Sequence, residues 1–240
     1  MSKIYGWLKK YIDPLVPLWG ILPLASCFFV NCLVYWATMY LCAGLKHYDL
    51  TLPFDKSVPF VTEWIFVYFV YCYAFWLFGY CYVARTYRNK KKKLFRFVTA
   101  DMLSRVVCMI FFIVLPTTNV RPEITGTALS DEVTRFLYSV DQPVNLFPSI
   151  HCLVSWLCFI GIRNAKNVPL FVKIFELVSA VAIMASTQFL KQHYIVDVIA
   201  GVALAEICYM VCKYIKLPKY VRKFFDKVNI KLLKLVGGKA

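Results

Sequence analysis

Acidic residues are scarce in this sequence, and histidines scarcer. Against 28 Lys and Arg stand 13 Asp and Glu, and there are only three His: His47, His151 and His193. No stretch is left over for a second sizeable soluble domain once the apolar runs are assigned. The ten cysteines lack zinc-like spacing. Most lie inside apolar runs (Cys27, Cys32, Cys72, Cys81, Cys108, Cys158, Cys208, Cys212), so they read as small core residues, not a disulfide framework. No small-residue cleavage pattern follows the basic N-terminus, which argues against a cleavable signal. What is plentiful is apolar sequence: 60% hydrophobic, 18% aromatic, mean hydropathy +0.62. Soluble domains are nearer half apolar. The excess sits in runs able to cross a bilayer, each needing about 20 apolar residues.

The shortage of acid leaves a net charge of +15. Nucleic acid is not the expected partner, because the basic residues flank apolar spans. There they set topology and meet anionic lipid. Residues 1–18 carry Lys3, Lys9 and Lys10 with Ile4, Trp7, Leu8 and Tyr11 at helical spacing, which predicts an interfacial helix. Six spans follow within 19–215: about Trp19 to Cys42, Pro59 to Val83, Phe97 to Leu115, a short one from Pro148 to Arg163, Pro169 to Leu190, and Tyr194 to Ile215. Residues 216–240 read as a basic amphipathic tail, with Pro218 near its start, Gly237-Gly238 at its stop, and an apolar stripe of Val221, Phe224, Phe225, Val228, Leu232 and Leu235. The expected fold is all-α: an integral membrane bundle of six transmembrane helices with short interfacial helices.

The loop at Lys90-Lys91-Lys92-Lys93 is the strongest orientation signal and should be cytoplasmic, with both termini on the same side. The opposite connections are acidic or nearly neutral. Residues 116–147 form the longest; within it Ser130 is placed to cap a helix whose first turn holds Asp131 and Glu132, followed by a stripe of Val133, Phe136, Leu137 and Val140. Inside the third span, Asp101 and Arg105 are four apart and can pair; a charged residue there is also a functional candidate.

This topology places Arg121, Ser149, His151, Lys191 and His193 on the outer face. His193 is followed at i+4 by Asp197, which can orient the imidazole. His151 sits near a helix N-terminus, a favourable place for an anion, with the Ser149 hydroxyl beside it. Arg121 offers a planar fork for phosphate oxygens and Lys191 a point charge. Two imidazoles, a carboxylate and two cations suit phosphoryl transfer, one imidazole attacking phosphorus and the other protonating the leaving oxygen. Cations beside the histidines argue against a metal ion. Asn145 and Asp141 read as turn and capping residues, and Cys152 as packing.

These residues resemble the type-2 phosphatidic acid phosphatase superfamily, whose motifs are K-x6-R-P, P-S-G-H and S-R-x5-H-x3-D. Here they read Arg121-Pro122, Pro148-Ser149-Ile150-His151, and Ser186-Thr187-x5-His193-x3-Asp197, over roughly residues 97 to 212. Three positions depart: Val114 for Lys, Ile150 for Gly and Thr187 for Arg. The pattern Pro148-Ser149-x-His151 with His193-Tyr194-x-x-Asp197 looks closer to the branch containing inositol-phosphoryl-ceramide and sphingomyelin synthases. The resemblance implies a hydrolase that needs no cofactor or metal: His193 as nucleophile forming a phosphohistidine, Asp197 orienting it, and His151 as acid and base. It implies Arg121, Ser149 and Lys191 as holders of the phosphoryl oxygens. The partner would be a phosphorylated lipid in a membrane with anionic lipid at its cytoplasmic face. Short loops and the lack of a retention signal fit a bacterial plasma membrane. The alternatives are a lipid headgroup phosphotransferase using the same histidines, and a non-catalytic lipid-binding or transport protein.

Overall fold

The computed structural model describes residues 3–235; the Gly237-Gly238 stop lies outside them. The chain folds as an all-α bundle. A short helix α1 (Lys3–Trp7) runs through a π-helical turn (Leu8–Ile12) to α2 (Leu18–Leu41). Asp13 joins them: its Oδ1 accepts the Leu18 N–H at 3.0 Å, and its Oδ2 takes Arg88 Nη1 at 2.8 Å. After α2 come β1 (Tyr48–Asp49) and α3 (Pro53–Ser57). A 3-10 turn (Thr62–Trp64) and a π turn (Phe66–Tyr71) lead into α4 (Cys72–Thr86), then α5 (Lys91–Val114) and β2 (Thr117–Thr118). The rest is helical: α6 (Leu129–Val140), α7 (Ile150–Ile162), α8 (Leu170–Phe189), α9 (Ile195–Tyr214) and α10 (Leu217–Leu235). The two strands pair in parallel, Tyr48 with Thr117 and Asp49 with Thr118.

Five of these segments are long and apolar enough to cross a membrane: Leu18–Leu41, Thr62–Thr86, Lys91–Val114, Leu170–Phe189 and Ile195–Tyr214. The expected fourth span is the exception. α7 has 13 residues and is about 20 Å long, short of a hydrocarbon core of about 30 Å. Its position explains why brevity is tolerated: ten of its residues are buried, so protein surrounds it. It packs on α4, α8 and α9. Trp76 donates to Ser155 Oγ at 2.9 Å and Tyr87 to the Gly161 carbonyl at 2.9 Å, tying α4 to α7 along its length. At Gly79 of α4 a Cβ would stand 2.6 Å from Cys158 Sγ, so glycine permits that approach.

Three local expectations change. The third span begins six residues early, because the lysines at 91–93 are good helix formers and continue the helix out of its apolar run. Ser130 is not the cap of α6. The helix starts at Leu129, Asp131 Oδ2 reaches back to the Ala128 N–H at 2.9 Å, and buried Ser130 meets Thr62 at 3.1 Å. The tail helix does more than lie on a surface: Phe225 packs against Phe95, and Asn229 donates to the Trp19 carbonyl at 2.8 Å. Arg105 and Asp101 form a fully buried ion pair at 2.8 Å, with Tyr80 donating to the same carboxylate oxygen at 2.7 Å.

Candidate active site

Local chain geometry brings His151 and His193 together. Ser149 caps α7, its Oγ accepting the Cys152 N–H at 3.3 Å, which places His151 in the first turn. At the other end of the gap, α8 finishes and the chain turns through Lys191 in a left-handed conformation (φ 50°). The Thr187 carbonyl then accepts the N–H groups of Gln192 and His193 at 2.9 and 3.2 Å, and Gln188 holds the His193 carbonyl at 2.9 Å. The two helix starts are locked to each other. Ser149 N–H donates to the Asp197 carbonyl at 3.1 Å, and Gly201 passes so close that a Cβ there would lie 2.5 Å from the Ser149 carbonyl oxygen.

The imidazole centroids are 5.9 Å apart. His193 Nδ1 stands 3.5 Å from Asp197 Oδ2, and that same oxygen accepts the Tyr194 N–H at 2.8 Å. The carboxylate is thus fixed by the start of α9 while its Oδ1 stays unpartnered. Nε2 is the His193 nitrogen not turned to Asp197. His151 lies against Tyr68 (4.4 Å) and Trp76 (5.3 Å), with Nδ1 3.3 Å from the Tyr68 hydroxyl. Its Nε2 is buried and has no partner. Buried polar atoms are nearly always paired, so an unpaired ring nitrogen opposite a second histidine marks a place for a ligand group. Both rings face a cavity of about 240 Å³, walled also by Tyr35, Asp141 and Gln192. A second cavity of about 630 Å³, lined almost wholly by apolar residues, lies between α2 and α4. It shares Phe28, Asn31, Tyr73 and Trp76 with the first.

The expected cations are placed less directly. Arg121 Nη2 donates to Gln192 Oε1 at 2.8 Å and Nη1 to the Asp141 carbonyl, with the guanidinium 4.5 Å over the Tyr138 ring. It stands behind Gln192, one side chain from His193, with Nε unpartnered. Lys191 is not in the cavity. Its Nζ donates to the carbonyls of Asp55, at 2.7 Å, and Val58, and burial pulls the ammonium's pKa below its usual value. The reason is the left-handed turn at Lys191, which directs the side chain onto the α3 turn. Ser149 is fully buried and acts first as a helix cap.

The profile of the PAP2 superfamily matches residues 54–211. The chain belongs to the PAP2 superfamily. No curated protein and no solved structure matches it. The PAP2 match begins earlier than the resemblance in the motifs suggested. It takes in α3 and α4, and with them three groups at the site that the sequence did not single out. Asp55 is buried and accepts the N–H groups of Ile195 at 2.8 Å and Leu52 at 2.8 Å, fastening α3 to the start of α9. Its signal is its place two residues after Pro53, where an acidic residue suits a helix start. Tyr68 and Trp76, which pack on His151, carry no such signal among the aromatics of that span.

The departures from the PAP2 motifs also find their places. Val114, at the first-motif lysine position, is 74% exposed at the end of α5 and lines neither cavity. Ile150, at the glycine position, contributes its side chain to the wall of the histidine cavity. Thr187 donates its hydroxyl back to the Met184 carbonyl at 2.7 Å, and holds His193 by backbone alone. Asp141 is not only a loop residue. Its carboxylate accepts the Tyr35 hydroxyl on the cavity wall, and burial raises its pKa. Asn145 keeps the turn role expected of it: φ is 57°, and its amide pins the loop to Thr38 of α2 at 3.0 Å.

Proposed function

We propose that this PAP2 protein is a metal-independent lipid phosphate phosphatase that works through a phosphohistidine. The observation that carries the reading is the pair of facing imidazoles, one backed by Asp197, in a small cavity that shares Phe28, Asn31, Tyr73 and Trp76 with a large apolar one. A phosphate headgroup suits the first and a lipid tail the second. His193 Nε2 attacks phosphorus, forming a P–N bond as the bond to the lipid oxygen breaks. Asp197 accepts from Nδ1–H and stabilises the charge that develops on the ring; the 3.5 Å gap closes to a hydrogen bond when substrate is bound. His151 gives a proton to the departing lipid oxygen. Water then attacks the phosphohistidine, His151 takes its proton, the P–N bond breaks and phosphate leaves. Arg121, the Ser149 hydroxyl and the first N–H groups of α7 are the donors available to the phosphoryl oxygens; Lys191 acts by bracing α3 and the His193 turn.

The site lies on the outer face of a plasma membrane, bacterial in keeping with the short loops, and the basic face is cytoplasmic. α7 with its flanking loop supplies the sixth crossing. Purified protein should release phosphate from phosphatidic acid, a phosphatidylglycerol phosphate or a polyprenyl diphosphate in excess chelator. His193→Ala and His151→Ala should each abolish release; full activity in either sinks the mechanism.

Ile150 in the cavity wall and the aromatic lining support a second reading, transfer of the phosphorylated headgroup to an acceptor lipid in place of water. Product analysis with an added acceptor alcohol separates the two. An acid-labile phosphoenzyme dependent on His193 would exclude a binding protein without catalysis.

A further inference from the structure

At the end of the bundle remote from the histidines, α5, α9 and α10 enclose a cavity of about 460 Å³. Six of its lining residues are cations: Lys92, Lys93, Arg96, Lys213, Lys219 and Arg222. No acidic residue lines it. Asp226 of α10 is engaged beside it, 2.9 Å from Lys91 and 3.6 Å from Arg222 Nε. Among the described residues, Lys92, Lys93, Lys213 and Lys219 form no ion pair. Arg96 is held without being neutralised. Its Nε and Nη2 both donate to the Tyr209 carbonyl, at 2.9 and 2.7 Å, and its guanidinium lies 4.0 Å over the Tyr209 ring. A concave site that gathers this much positive charge, with one arm fixed in place, favours an anion.

Depth in the membrane identifies the kind of anion. Directly beyond Lys93 and Lys213 the apolar cores of α5 and α9 begin, with Leu94, Phe95, Cys208 and Cys212 buried. On the outer side of α10, Tyr220 and Phe224 are exposed, as side chains that rest on lipid would be. The cavity therefore sits at headgroup level. It is not the entrance to the histidine site. Lys213 is twenty residues along from His193, about 30 Å at helical rise, roughly the thickness of a hydrocarbon core.

We propose that this pocket binds the headgroup of an anionic phospholipid ending in a phosphomonoester, in the leaflet opposite the histidines. A phosphomonoester carries about −1.5 to −2 charge and three acceptor oxygens, where a diester carries one charge. Five cations without an acidic partner, with Arg222 shared with Asp226, match the former. The pocket joins α10 to α5 and α9, so the lipid would link the tail helix to α9, which carries Asp197 at its other end, and to α5, which packs on α9.

The test uses the full chain carrying His193→Ala, so that bound lipid is not turned over, and counts lipids bound per chain by native mass spectrometry, one at the histidine site and a second at this pocket. Phosphatidic acid should load as that second lipid and phosphatidylcholine should not, and the binding compared below is that of the second lipid. Lys92→Gln/Lys93→Gln/Lys219→Gln should weaken phosphatidic acid binding roughly 100-fold, about fivefold for each lysine. The Arg replacements at the same three positions should bind like the parent. Lys3→Gln/Lys9→Gln/Lys10→Gln, an equal charge change outside the pocket, should shift binding less than threefold. Unchanged binding in the first variant would overturn the proposal, as would an equal loss in the Lys3/Lys9/Lys10 variant. So would displacement of the lipid by equimolar glycerol 3-phosphate, which would mark a site for soluble anions.

Discussion

Gly201→Ala is the most exacting perturbation, because it touches no chemical group. The added Cβ would stand 2.5 Å from the Ser149 carbonyl oxygen, 3.3 Å from Cys152 Cβ and 3.3 Å from the Leu153 nitrogen. Two of these are backbone atoms, so no flexible side chain can move aside. The starts of α7 and α9 must part by roughly 0.5–1 Å to restore ordinary contact distances. That strains the Ser149 N–H bond to the Asp197 carbonyl and widens the 5.9 Å between the imidazoles. Overpacking costs about 1–3 kcal/mol, and alanine's better helix propensity returns about 1 kcal/mol, so the net loss of stability is about 0–2 kcal/mol. Catalysis should suffer more. Misplacement by about 1 Å can cost around 100-fold. The assay is phosphate release from a lipid panel, with kcat and KM separated and thermal unfolding followed in parallel. Gly44→Ala serves as control, since nothing lies within 4 Å of its added Cβ. A Gly201→Ala protein with kcat within twofold of wild type would refute the claim that the two helix starts set the distance between the histidines.

Asp197→Asn keeps an oxygen for the Tyr194 N–H but removes the charge beside His193. kcat should fall by about 100-fold or more with little change in unfolding temperature, and an equal collapse of both would assign Asp197 to folding alone. Lys191→Met removes the two bonds to the α3 carbonyls. It should cost about 1–3 kcal/mol in thermal unfolding while KM for a lipid phosphate changes little; a large rise in KM at normal stability would return Lys191 to the substrate. Asp101→Ala leaves Arg105 buried and unpaired, and chemical denaturation should show a loss of about 3–5 kcal/mol, whereas Asp101→Leu/Arg105→Met should recover most of it.

Five of the six expected spans were legible in the sequence because long apolar runs bounded by basic loops mark helices able to cross a membrane. The sequence made His151, His193 and Asp197 stand out as candidates because their types and spacing match known motifs, and the fold brings the three together. Lys191 misled for a geometric reason: a residue two positions before His193 looks like a neighbour, but a left-handed turn sends its ammonium to α3. Asp55 was hidden by distance along the chain, since its partner Ile195 is 140 residues away. Tyr68 was hidden by company, one aromatic among many on an aromatic-rich segment. α7 was read as a short span, and the reason it can be short, enclosure by α4, α5, α8 and α9, is a tertiary fact that no window of thirteen residues contains.

The shared wall of Phe28, Asn31, Tyr73 and Trp76 has a kinetic consequence. On the proposed reading, a lipid with its headgroup at the histidines keeps its tail in the adjoining apolar cavity, and encounter is lateral diffusion in two dimensions. The concentration that governs turnover is then the mole fraction of substrate in the membrane. Diluting the same amount of lipid phosphate into more carrier lipid should slow the reaction, even though its bulk concentration has not changed.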